Sequence, residues 1–102
     1  MHILLDDKRI ADFCQRWKIA RLGFFGSILR EDFGPSSDVD VLVSFASDAQ
    51  WSLLDHVQME EELSTLLGRK VEIVNRRSIE RSQNWIRRQE ILENTQSYYV
   101  AQ

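Results

Sequence analysis

At 102 residues the chain is sized for one domain, 1–102, with a single core. Its hydrophobic content of 43% and charged content of 28% are those of a soluble globular protein, and no apolar run approaches the ~20 residues that cross a bilayer. Acids in the opening MHILLDDKRI interrupt the apolar stretch a signal peptide needs, so a cytoplasmic location is expected. Cys14 is the only cysteine, which excludes an internal disulfide and a thiolate zinc cage.

Net charge is −3 and unevenly spread. Nine acids and no Lys or Arg lie between Glu31 and Gly68, whereas Arg69 to Glu93 holds seven basic and four acidic residues. Long nucleic acid is disfavoured as a partner, because binding to its phosphate backbone relies on many cations.

In chain order, residues 6–18 place Ile10, Phe13, Cys14 and Trp17 at i, i+3, i+4 and i+7, one face of a helix with Asp6 and Asp7 at its positive end. On that face Cys14 reads as a small buried apolar residue rather than a reactive or metal-binding thiol. Residues 21–25 (RLGFF) form a short buried strand that Gly26 ends. Ser27 is the expected N-cap of a short helix running to about Asp32. Backbone N–H groups at such a turn suit a phosphate, Gly26 admits close approach, and Ser27 adds a hydroxyl. An ordinary tight turn is the alternative. Arg30 follows one helical turn later, and the turn formers from Phe33 to Ser37 bring the chain back to a second strand.

That strand carries Asp38 and Asp40. Two residues apart in an extended segment, they point to one face, with Val39, Val41, Val43 and Phe45 on the other. Paired carboxylates repel, and a bound cation is the simplest reason for a fold to keep them together. This pair tips the reading of Gly26 and Ser27 toward phosphate binding.

A polar loop (46–50) precedes a helix from about Ser52 to Leu67, stopped by Gly68. Leu53, His56, Met59, Leu63, Leu66 and Leu67 form its apolar face. His56 reads as a half-buried, hydrogen-bonded residue, and Glu60, Glu61 and Glu62 as the solvated side. Residues 70–75 (KVEIVN) alternate as a third strand, with Val71 and Ile73 on one face and Glu72 on the other. Residues 78–94 read as a helix capped by Ser78. Its arginines, with Arg76 and Arg77, read as a solvated surface, with contact to a nucleotide or partner as the alternative. Residues 97–101 (SYYVA) form a short edge strand.

A Gly-Ser pair, ten intervening residues and Asp-x-Asp on a strand, with an acid on a later strand, resemble the DNA polymerase β-like nucleotidyltransferases. GSILRED, SSDVDVLVSF and ELSTLLGRKVEIV are similar to the minimal nucleotidyltransferases (MNT), MntA-like antitoxins that pair with HEPN-domain toxins. The resemblance covers about residues 20–76 well, and the remainder more loosely. It implies an α/β (α+β) fold, a small mixed β-sheet flanked by helices. It further implies transfer of AMP from ATP to a HEPN toxin, on a tyrosine, with two Mg²⁺ ions and a hetero-oligomer with that partner. Asp38, Asp40 and Glu72 would be the metal-binding catalytic acids, and Gly26, Ser27 and Arg30 would face the triphosphate. The family usually carries Asp where this chain has Glu72. The longer side chain either completes the site in altered geometry or marks a weakened enzyme, so an antitoxin acting by binding alone is the competing expectation. A small-molecule nucleotidyltransferase is a third, for which the chain lacks room for a substrate-binding addition.

Overall fold

The computed structural model describes residues 5–30, 34 and 37–101. The elements in order are α1 (Asp7–Arg16), β1 (Ile19–Phe25), a 3-10 turn (Gly26–Leu29), β2 (Val39–Phe45), α2 (Leu53–Leu67), β3 (Val71–Asn75), α3 (Arg76–Glu80), α4 (Trp85–Asn94) and β4 (Gln96–Val100). The strands make one mixed sheet of order β3-β2-β1-β4. The β1–β2 and β1–β4 pairs are antiparallel. The β2–β3 pair is parallel, because α2 carries the chain back to the starting end of the sheet.

Alternation along the strands sorts side chains between two faces. Val39, Val41 and Val43 of β2 join Leu22 and Phe24 of β1, and Val71 and Ile73 of β3, in the main core. Ile10, Phe13 and Cys14 of α1 and Met59 and Leu63 of α2 cover that face. Burial pushes the Cys14 thiol up to about 12, so it stays protonated and packs as an apolar residue, as the helical spacing requires. The opposite face carries a smaller cluster of Phe25, Leu42, Ile79 and Ile91, under α3 and α4.

The caps explain where the helices begin. Asp6 caps α1 by accepting from the Arg9 N–H. Ser52 and Asp55 form a reciprocal capping box at the start of α2. Gly68, at φ 67°, ends α2 in the left-handed conformation.

Four expectations change. Residues 78–94 are two helices, because Asn75 and Asn84 cap α3 and α4 and Ser78 lies inside the first. Leu53, at the start of α2, is exposed rather than on its buried face. The short helix expected from Ser27 is one 3-10 turn whose cap position is Phe25 and which has no side-chain cap, and Asp32 lies outside the described residues. Lastly, Glu60 and Glu62 are not simply solvated. Glu62 accepts from the Trp17 indole at 2.7 Å, and Glu60 accepts from the Ile73 N–H at 2.7 Å. Ser64, one turn from Glu60, accepts from the Val71 N–H at 3.0 Å, so two α2 side chains occupy the outer edge of β3. His56 is half-buried beside Glu60, 3.6 Å away.

Candidate active site

The site lies on the face of the sheet opposite the main core. Asp40 sits in β2 between Phe25 of β1 and Glu72 of β3, its partners in register. Neighbouring strands lie about 4.8 Å apart, so Asp40 and Glu72 stand side by side on the same face. Both line a cavity of about 480 Å³ together with Gly26 and Arg30. Phe25, Leu29 and Ile91 give the cavity an apolar wall, and Arg87, Glu90 and Asn94 of α4 close its far side.

Gly26 has φ +75°, a conformation that disfavours any side chain. A Cβ there would also overlap the Asp40 Oδ2, so the bare backbone of the turn lies directly against the carboxylate. The turn holds only four residues and therefore adds little helix dipole. Its suitability for a phosphate rests on this close approach.

Asp38 is exposed and lies just before β2, not within the strand. Its carbonyl accepts from the Ser27 hydroxyl at 3.2 Å, a bond that pins the end of the 34–38 connection to the 3-10 turn. The Gly34 N–H donates to the Ser37 hydroxyl and the Ser37 N–H to the Gly34 carbonyl, which also accepts from the Arg69 guanidinium at 2.6 Å. Phe33, Pro35 and Ser36 lie outside the described residues. Thus Ser27 acts on the backbone of Asp38, and neither residue lines the cavity itself.

Electrostatics tie the acids together. Asp40 is held above the ordinary carboxylate value of 3.8, first by burial, then by repulsion from Glu72 and from Asp38. Arg30 and Arg87 act in the opposite direction. Among the described residues no three His, Cys, Asp or Glu side chains converge tightly enough to form a preassembled metal cluster. The donor set nevertheless fits a hard divalent cation: Asp40 and Glu72 line an open cavity, Glu72 and Asp38 both repel Asp40, and such a cation prefers oxygen ligands completed by phosphate and water.

Arg87 was not distinguishable from its neighbours in the sequence. The usable signal was its place one turn before Ile91, on the same helix face as Asn94. Arg76 instead lies 3.7 Å from Glu80, and Arg88 donates to the Ser82 carbonyl.

The profile of the nucleotidyltransferase domain matches residues 7–98. The chain belongs to that nucleotidyltransferase family. Protein adenylyltransferase MntA of Thermococcus cleftensis is 38% identical over 65 residues, which are 64% of this chain and 64% of that protein. The chain therefore matches just under two thirds of the length of that relative. In three dimensions it is similar to a chain in a crystal structure of a toxin–antitoxin with AMP-PNP. The TM-score is 0.72 at 19% identity, covering 96% of this chain and 76% of the other. It is likewise similar to a chain in the complex of tri-AMPylated Shewanella oneidensis HEPN toxin with MNT antitoxin. There the TM-score is 0.63 at 18% identity, covering 93% and 70%. Likeness at these identities speaks for the nucleotidyltransferase fold, whose mixed sheet this chain shares. Among the described residues no helix is long and apolar enough to cross a membrane.

Proposed function

We propose that the chain is a cytoplasmic antitoxin of the MNT type that transfers AMP from ATP to a HEPN-domain toxin partner, on a tyrosine, and so neutralises it. The single observation that carries this reading is the register of Asp40 with Glu72 beside the Gly26 turn, at the mouth of one cavity. The MntA relative and the tri-AMPylated HEPN complex supply the substrate class.

In the reaction the bond from the α-phosphorus to the pyrophosphate oxygen breaks and one to the acceptor oxygen forms. Gly26 admits the phosphates against the backbone, and Arg30 offsets their charge. Asp38, Asp40 and Glu72 would hold Mg²⁺, as two ions. When bound, the metal neutralises charge on the triphosphate and raises the nucleophilicity of the acceptor oxygen. Glu72, exposed at the cavity edge while Asp40 is half-buried, would bind the catalytic ion or help take the acceptor proton.

A second reading, an antitoxin acting by binding alone, is favoured by Glu72 standing where the family carries Asp, and by the lack of a preassembled three-acid cluster among the described residues. One experiment separates the two. The chain is incubated with ATP, Mg²⁺ and the toxin encoded beside it, and the toxin's intact mass is measured. The enzyme reading expects addition of AMP, slowed about a hundredfold or more in Asp40→Asn, the scale for losing one preorganised charge-stabilising group. Unmodified toxin in a stable complex with the chain would overturn it in favour of the binding module.

A further inference from the structure

We propose that Arg87 on α4 is a second binding cation for the triphosphate of the nucleotide, acting across the cavity from Arg30. The proposal rests on the nucleotidyltransferase reading above and deepens it by assigning a residue from the C-terminal helix to the substrate.

Three observations support it. First, Arg87 and Arg30 come from distant parts of the chain and line the same cavity, which also holds Gly26 and the Asp40–Glu72 pair. Secondly, among the described residues the Arg87 side chain makes no hydrogen bond or salt bridge; the same holds for Arg77 and Arg81, but of these three only Arg87 lines the cavity. Arg88 is tied to the Ser82 carbonyl, and Arg76 lies against Glu80. Asp40 attracts the Arg87 guanidinium only through space, so its five donors remain for a ligand at the cavity wall. Thirdly, the helix that carries it is anchored. The Asn84 side chain caps α4 through the Arg87 N–H at 3.2 Å, and Ile91, one turn on, is buried against Phe25, Leu42 and Ile79. The position of Arg87 is therefore set by packing.

The charge balance of the cavity points to the same ligand. Asp40, Glu72 and Glu90 alone would repel a triphosphate. A metal at the acids offsets part of that charge, and two flanking guanidinium groups supply planar, bidentate donors for phosphate oxygens. A carboxylate of the acceptor protein is the competing ligand for such a cation, and the test separates it from the nucleotide.

Binding of ATP and of adenosine, each with Mg²⁺, is measured by calorimetry for the unaltered chain, Arg87→Ala, Arg87→Lys and the control Arg81→Ala, whose exposed residue lies outside the cavity. Thermal midpoints of all four are recorded. The expected result is that Arg87→Ala weakens ATP about tenfold, as for one charge-assisted contact. Adenosine binding stays unchanged, Arg87→Lys recovers part of the loss, and Arg81→Ala resembles the unaltered chain. Equal weakening of ATP and adenosine, or a lowered midpoint that accounts for the loss, would assign Arg87 a structural role and overturn the proposal. Unchanged ATP binding with a raised KM for the toxin would transfer Arg87 to the acceptor and also overturn it. If the unaltered chain binds no ATP, the nucleotidyltransferase reading falls first and this proposal with it. ATP binding that ignores Arg87 removes the proposal alone.

Discussion

The two faces of the sheet are built from the same strands and do opposite things. On β2, Val39, Val41 and Val43 point into a closed core under α1 and α2, while Asp40, on the other side, faces an open cavity. The covered face gathers apolar side chains whose burial stabilises the fold. The open face places like charges together and partly desolvates one of them, which costs stability. Period-two alternation lets a single strand serve both ends, and a register slip of one residue would exchange them. Most of the stabilising burial and the chemistry are thus separated by direction rather than by segment, although Leu42 joins the smaller apolar cluster on the Asp40 side.

Three substitutions put that division at risk, beginning with the largest effect. Phe24→Ala removes a fully buried ring from the covered face and is expected to cost about 3–5 kcal/mol. Urea unfolding should show the midpoint fall with little change in slope, and ATP binding should persist wherever the chain is still folded. A Phe24→Ala chain that is fully folded but unable to bind ATP would mean the faces are coupled.

Gly26→Ala tests the open face. The left-handed backbone there costs a side chain about 1 kcal/mol, and the new methyl group would displace Asp40. Transfer of AMP should fall by far more than this small destabilisation explains, read as a loss of kcat in chain shown to be folded by circular dichroism. Activity at the unaltered level would remove the Gly26–Asp40 contact from the mechanism.

Asp40→Asn has the smallest effect on stability, and the opposite sign. Because the folded carboxyl is held above its ordinary 3.8, the folded state binds its proton more tightly than the unfolded chain does. Its contribution to stability therefore falls as pH rises from 3.8 toward the raised value, and the penalty is complete above it. Asp40→Asn should have a higher thermal midpoint than the unaltered chain at pH 7, with the gap closing as pH falls below 3.8. A variant less stable at pH 7 would indicate that the ionised carboxylate has a stabilising partner.

Much of this arrangement was readable from the chain. The alternation of β2 and β3 placed Asp40 and Glu72 on one face opposite the valines. Ser52 and Gly68 marked the ends of α2, and Gly26 marked the turn. What escaped depended on contacts between distant residues. Glu60 and Glu62 look like solvated helix charges until β3 and Trp17 supply their partners, 13 and 45 residues away. The break between α3 and α4 arises from two asparagine caps competing with Ser78, a local choice that the irregular apolar pattern did not decide. Arg87 differs from Arg88 only in the direction its helix faces, which is fixed by the burial of Ile91.

The side chains of Ser64 and Glu60, seated on the Val71 and Ile73 amides, have a consequence for assembly. An incoming chain that tried to extend the sheet beside β3 would find those donors already engaged, and would meet a carboxylate. Growth by strand addition is thereby steered to the far margin, along β4, where Gln96–Val100 is the outermost strand. The same two contacts that hold α2 down also discourage self-stacking into cross-β aggregates from that side.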